Sequence, residues 1–97
     1  MKTIYRYQLA VEDYPEVLMP QGAHILSVAA SRSGNPGLVD LWALVNTDQP
    51  LAPRKFQVIG TGNPITDHPH PDDFIATVAI AGGALIWHVF ERGRDRG

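Results

Sequence analysis

The chain contains no cysteine among its 97 residues. This absence excludes a disulfide framework, a thiolate metal site and a cysteine nucleophile. No stretch approaches the roughly 18 apolar residues of a membrane span, and the N-terminal residues lack the continuous apolar segment of a signal peptide. We therefore expect a cytoplasmic protein that makes no contact with a membrane.

Concentrated positive charge is also missing. The formal net charge is −2, and basic residues are concentrated only in residues 92–97, where neighbouring acidic residues dilute three arginines. Proteins that bind nucleic acid usually present a basic patch that displaces counterions from phosphates. The composition argues against nucleic-acid binding, and we interpret residues 92–97 as a charged, flexible tail on a single domain formed by residues 1–91.

A helical pattern of apolar residues is absent as well. Residues 3–11 alternate instead, with Tyr5 and Tyr7 on one face and Arg6 on the other, which predicts a half-buried strand. The other strand candidates are 23–30, 38–45, 56–60, 74–81 and 84–90, and the short run 16–19 raises the count from six to seven. This pattern predicts an all-β fold: a single small antiparallel β-sandwich or a partly open barrel.

The last two strands flank Gly82 and Gly83, which predicts a hairpin with a primed turn. A two-residue loop pairs Val78 with Trp87 and puts Phe74 on the core face. The prolines of residues 46–53 and 63–73 predict two loops, because proline removes a backbone donor and restricts its neighbour.

One stretch combines a strand end with two glycines: Gly60-Thr61-Gly62-Asn63, followed by a proline. Glycine lacks a Cβ, so the backbone can bend sharply here and approach another group closely. The simpler interpretation is a tight turn between strands, and the functional interpretation is a nest of backbone amides that binds a ligand. We predict that any ligand site lies here.

The following loop adds His68 and His70, which stand among three aspartates. Imidazole and carboxylate groups can ligate zinc or a harder divalent ion, but this spacing is not a zinc signature. We assign both histidines to the candidate ligand site and predict no metal and no cofactor. His88, within the last strand, is interpreted as a sheet residue hydrogen-bonded to Thr77, and we predict no catalytic residues.

The first strand is the candidate interface. An antiparallel sheet of this size has edges that need cover, and the chain has few lysines to blunt one. Aromatic residues are enriched in interfaces. We therefore expect a homo-oligomer with Tyr5 and Tyr7 in its interface.

Five blocks of sequence are distinctive as a set: Lys2–Tyr7, Pro20–Val28, Leu41–Val45, Val58–Pro64 and Trp87–Glu91. Together they resemble a family of small, uncharacterised proteins encoded by bacteriophages and prophages. The resemblance spans residues 2–91. It implies a phage setting, with the host cytoplasm as the location, and transfers no mechanism.

The leading hypothesis is a non-enzymatic, phage-encoded accessory protein that binds a host or phage macromolecule or assembles with itself. One alternative is a protein that binds or sequesters a small molecule, such as a nucleotide-type signal. A virion accessory protein and a metal-dependent hydrolase are further alternatives.

Overall fold

The computed structural model describes residues 1–93 as two antiparallel β-sheets packed face to face. The strands are β1 (Lys2–Ala10), β2 (Glu16–Pro20), β3 (His24–Ala30), β4 (Leu38–Asn46), β5 (Leu51–Gly60), β6 (Phe74–Ile80) and β7 (Leu85–Arg92). Single 3-10 turns lie at Pro71–Asp73 and Ala81–Gly83. The prediction of a small all-β sandwich with six to seven strands is confirmed.

The first sheet has the strand order β1-β4-β3 and the second has the order β2-β5-β7-β6. Arg92, which the sequence analysis assigned to the tail, is the last residue of β7 and pairs with Lys55. Residues 94–97 lie outside the described residues, so the prediction of a flexible tail is not tested there. No helix within residues 1–93 is long and apolar enough to cross a membrane.

The core lies between the two sheets and is built from alternate residues of strands in both sheets. The largest fully buried apolar side chains are Leu9, Met19, Val39, Leu41, Val45, Phe56 and Val89. Alternation along β4 follows from the pleat, which sends successive side chains to opposite faces. Each fully buried side chain of this size stabilises the fold by about 1.5–3 kcal/mol relative to exposure.

The predicted register of the final hairpin is confirmed: Val78 pairs with Trp87. Gly82 and Gly83 both have positive φ, 68° and 92°, as a primed turn requires. The prediction that Phe74 belongs to the core is wrong. An extra residue between Phe74 and Ala76 shifts the register, so Phe74 is 47% exposed and its ring lies 5.4 Å from that of Phe90.

The predicted loop 46–53 is also shorter than expected, because β5 begins at Leu51 and includes Pro53. Proline is tolerated there because β7 pairs with β5 only from Lys55 onward. Around Pro53, β5 therefore has one neighbouring strand within residues 1–93, and the missing N–H leaves no ladder bond unmade with the strands described there.

Candidate functional site

β1 is the outer strand of its sheet, so one side of its backbone has no neighbouring strand among the described residues. Two hydrogen bonds show which groups face β4. The N–H of Thr47 donates to the carbonyl of Met1 (2.8 Å), and the N–H of Val11 donates to the carbonyl of Gly37 (2.9 Å). Both bonds join odd-numbered residues in one unbroken register, and bonding direction alternates along an antiparallel strand. Even-numbered residues of β1 therefore direct their backbone groups away from β4.

Lys2, Ile4, Arg6 and Gln8 thus present a row of N–H donors and C=O acceptors along the open side of β1. Ala10 is the next even-numbered residue, but its carbonyl already accepts a hydrogen bond from an N–H two residues later in the chain (3.0 Å). This row, which we call the β1 edge, has the chemistry of half a β-ladder.

Each of the other three outer strands in the described part of the chain carries a feature that hinders strand addition. β2 has only five residues and ends in Pro20. β3 contains a register shift between Ile25 and Ser27, and β6 contains one between Phe74 and Ala76. Short length, proline and bulges are the features by which proteins block edge pairing. β1 has nine residues, no proline and no register shift, so it is the open edge.

Tyr5 and Tyr7, the predicted interface residues, lie next to each other on the inner face of β1. Their ring centroids are 6.4 Å apart with an edge-to-face geometry of 70°. Tyr5 is 43% exposed, whereas Tyr7 packs against the core. Burial, and secondarily the neighbouring Tyr5, raise the pKa of Tyr7. The two rings form an aromatic surface directly beside the β1 edge.

The outer face of the same sheet presents Ile4 opposite Leu44, and both side chains are exposed. Beside them, the fully buried carboxylate of Asp40 accepts hydrogen bonds from Nη1 of Arg6 (3.3 Å) and from the N–H of Arg32 (3.2 Å). Because Asp40 belongs to β4, it draws the Arg6 side chain over the sheet and away from the open side. The backbone of the β1 edge consequently stays uncovered.

The predicted ligand turn is a tight turn, and its two glycines serve different purposes. The N–H of Asn63 donates to the carbonyl of Gly60 (3.0 Å), and Gly62 has a φ of +84°, as the third residue of a type II turn requires. Gly60 has no positive φ. A Cβ on Gly60 would instead lie 2.6 Å from Nδ2 of Asn63 and 3.0 Å from Cζ3 of Trp87, so any larger residue there requires these two side chains to shift.

Gly60 and Asn63 line a cleft of about 110 Å³ together with residues that include Asp13 and Asp67. Small-molecule sites usually have volumes of about 300–1,000 Å³, and a water molecule takes about 30 Å³ of the liquid. The cleft therefore has room for a few waters or a small ion. Of the six predicted ligand residues, only Gly60 and Asn63 line this cleft.

Thr61, an exposed residue of the turn, contacts His88. Its Oγ1 lies 2.6 Å from Nε2 of His88, and Oγ1 of Thr77 lies 2.9 Å from Nδ1. The predicted bond between His88 and Thr77 is confirmed, and the bond to Thr61 is an addition. Both ring nitrogens are thereby occupied. Both partners of His88 are threonine hydroxyls, Thr61 and Thr77. His88 therefore lacks the carboxylate partner that stabilises an imidazolium in a catalytic triad.

The loop that follows is tied down by backbone and ion-pair contacts. Nδ1 of His70 accepts from the N–H of Asp72 (3.1 Å), while His68 is exposed. Asp67 pairs with Arg92, and its carbonyl accepts from Nε2 of Gln57 (2.8 Å). Within residues 1–93, no group of three or more His, Asp, Glu or Cys side chains is arranged to hold a metal ion.

One polar cluster was missed by the sequence analysis. The guanidinium of Arg54 donates Nε and Nη2 to the carboxylate of Glu91 (2.6 and 3.1 Å) and Nη1 to the carbonyl of Ala23 (2.6 Å). Glu91 is 6% exposed. The signal was available: Arg54 alternates with Phe56 on the inner face of β5, and Glu91 alternates with Val89 on that of β7. Opposite charges at inward positions of two strands predict a buried pair.

Comparison with known protein families matches residues 1–97 to one described as "Domain of unknown function (DUF7352)". No curated protein and no solved structure matches the chain. The comparison thus identifies relatives of this sequence and assigns them no activity.

Proposed function

The chain belongs to the family Domain of unknown function (DUF7352), and we propose that it is a non-enzymatic protein that binds an extended segment of another polypeptide at the β1 edge. The observation that carries this proposal is the row of outward backbone groups on a nine-residue strand with an unbroken register. Proteins that recognise peptides by strand addition obtain their affinity from such main-chain hydrogen bonds.

The side chains around the edge supply the second half of recognition. An added strand sends successive side chains to opposite faces of the sheet. Residues on one face would contact Tyr5, and residues on the other would contact Ile4, behind which Leu44 lies on β4. We therefore expect a partner segment that carries apolar side chains near the centre of both faces.

The proposed setting follows from the resemblance of the sequence to phage and prophage proteins. In that setting the chain is an accessory protein that acts in the host cytoplasm on a host or phage protein. A role as a virion accessory protein uses the same edge and differs only in the partner.

The alternative functions have weaker support. A cleft of about 110 Å³ at Gly60 and Asn63 is small for a nucleotide-type signal. The hydrolase alternative needs a metal ion bound by His68 and His70. Within residues 1–93, neither histidine belongs to a group of three or more side chains that could hold one. The β1 edge needs no such additional group, because its hydrogen-bonding atoms already stand in a row.

The test uses two separate proline variants, each of which removes one backbone N–H donor from a different side of β1. The N–H of Ile4 points away from β4, so Ile4→Pro blocks the edge and spares the β1–β4 ladder. The N–H of Tyr5 points toward β4, so Tyr5→Pro breaks the ladder and should lower the melting temperature. Ile4→Ala controls for loss of the side chain.

Native mass spectrometry of these variants in cell extract gives the readout. We expect protein complexes with the wild type and Ile4→Ala, and their loss with Ile4→Pro at a melting temperature close to that of Ile4→Ala. Complexes that persist in a folded Ile4→Pro variant, or retention of a small molecule without any protein complex, would contradict the proposal.

A further inference from the structure

We infer that the strand added at the β1 edge is β1 of a second copy of this chain, antiparallel and related by a twofold axis at Tyr5. This inference rests on the proposed function and names its partner. It follows from three properties of β1: the direction of its backbone groups, the positions of its two cations and the one carbonyl that is already engaged.

Symmetry leaves few arrangements. A twofold axis perpendicular to the sheet pairs each residue with the residue equally far on the other side of the axis, and keeps inner faces with inner faces. The axis must therefore pass through a residue near the middle of the strand. The candidates are Ile4, Tyr5, Arg6 and Tyr7.

Repulsion between like charges disfavours two of these four axis positions. An axis at Arg6 puts the two Arg6 side chains directly opposite each other. An axis at Ile4 puts Lys2 opposite Arg6. Like charges in directly opposed positions destabilise a strand pair, so neither arrangement is favoured.

Backbone pairing separates the remaining two. An axis at Tyr7 pairs Ile4 with Ala10, whose carbonyl is already taken within its own chain, and leaves Lys2 without a partner. An axis at Tyr5 pairs Lys2 with Gln8 and Ile4 with Arg6, in both directions. Each of these pairs makes two hydrogen bonds, so every outward group of the β1 edge is used.

The side chains fit the same arrangement. The exposed ring of Tyr5 meets its symmetry mate, and Tyr7 faces Thr3 of the other copy, on the inner face. Outer-face neighbours are Ile4 of one copy and Arg6 of the other, and because Asp40 holds each guanidinium over its own sheet, only the first carbons of the arginine stem lie beside the isoleucine. The product is one continuous six-stranded sheet made of two β1-β4-β3 sheets.

The absence of cysteine makes the register directly testable, because any introduced cysteine is unique. Residues opposite each other without mutual hydrogen bonds have Cα atoms about 4.5 Å apart, within the disulfide range of about 4.4–6.8 Å. Tyr5→Cys should therefore form a covalent dimer under mild oxidation. Tyr7→Cys alone should not, since its mate lies several residues away along the strand.

A second experiment leaves Tyr5 intact. Neither Thr3→Cys nor Tyr7→Cys should cross-link with itself, but a mixture of the two should give the mixed disulfide, because Thr3 and Tyr7 are opposed. Gln49→Cys, in the exposed turn before β5, controls for random collision.

Sedimentation of the wild type over a concentration series completes the test. We expect twice the chain mass for the wild type and Ile4→Ala, and the chain mass for Ile4→Pro. A monomeric wild type, or self-cross-linking of Tyr7→Cys in place of Tyr5→Cys, overturns this inference. If the wild type is monomeric but Ile4→Pro still loses complexes with another protein, the proposed function stands and only the second copy is wrong.

Discussion

Gly60 and Gly62 are separated by one residue, yet glycine is favoured at each for a different physical reason. Gly60 is hemmed in by the Asn63 amide and the Trp87 ring, whereas Gly62 has open space around its Cα and a φ of +84°. We expect Gly60→Ala to destabilise by about 1–3 kcal/mol through overpacking. Gly62→Ala should destabilise by about 1 kcal/mol or more through backbone strain.

A coupling measurement separates the two causes. Asn63→Ala removes the nearer obstacle to a Cβ on Gly60, so Gly60→Ala should be less harmful in the Asn63→Ala background. The effect of Gly62→Ala should be the same in both backgrounds. Urea denaturation of the three single and two double variants measures this, and equal penalties for Gly60→Ala in the two backgrounds would show that Asn63 is not the obstacle.

The tyrosine pair predicts a loss of stability in alkali. Burial raises the pKa of Tyr7 above the ordinary tyrosine value of 10.0, and Tyr5 adds to the effect. The folded state therefore holds the phenol proton more tightly than the unfolded state, and stability is lost as pH rises from about 10 through the folded pKa. We expect the urea midpoint to fall in this range. The fall should be shallower in Tyr7→Phe, and an equal fall in both proteins would contradict the prediction.

At the scale of single elements, alternation and turn chemistry predicted the strands and the β6–β7 register, because both are local properties of the chain. The bulges were not predictable in this way. Leu26 is the unpaired residue of the bulge in β3, and Ile75 is that of the bulge in β6. Both positions depend on the residues of the neighbouring strand. Phe74 pairs with Phe90 and contacts its ring only after the shift in β6. The start of β5 at Leu51 likewise depends on pairing with β2.

The pair of Arg54 and Glu91 links elements of both sheets, because it joins β5 to β7 and reaches the carbonyl of Ala23, just before β3. Arg54→Met leaves a carboxylate buried without its cation, which typically costs about 3–5 kcal/mol. The double variant Arg54→Met with Glu91→Leu removes both charges and should be more stable than the single variant. Chemical denaturation of the three proteins measures this, and an equally unstable double variant would mean that the Ala23 contact dominates.

At the scale of the molecule, the site depends on topology more than on any motif. The sequence predicts Tyr5 and Tyr7 and the need to cover an edge, because these follow from alternation and composition. It did not reveal that β1 stays an outer strand, since that results from β4 pairing with both β1 and β3. Nor did it reveal which amides point outward, because that is decided by the residues opposite them on β4.

Thermal unfolding connects the edge to the stability of the whole fold. A partner that binds only the folded chain stabilises it by mass action, so a self-associating protein melts at a higher temperature when it is more concentrated. A tenfold rise in concentration is worth about 0.7 kcal/mol per chain, and domains of this size unfold with an entropy of about 0.2 kcal/mol/K. We therefore expect calorimetry to show a rise of about 3.5 °C for each tenfold increase in the wild type and in Ile4→Ala. Ile4→Pro should melt at one temperature throughout the series, because its ladder to β4 is intact and its outward edge is blocked.

Two results would contradict this prediction. A wild-type melting temperature that does not depend on concentration would show that self-association does not stabilise the fold. An equally strong concentration dependence in Ile4→Pro would show that the interface lies away from β1.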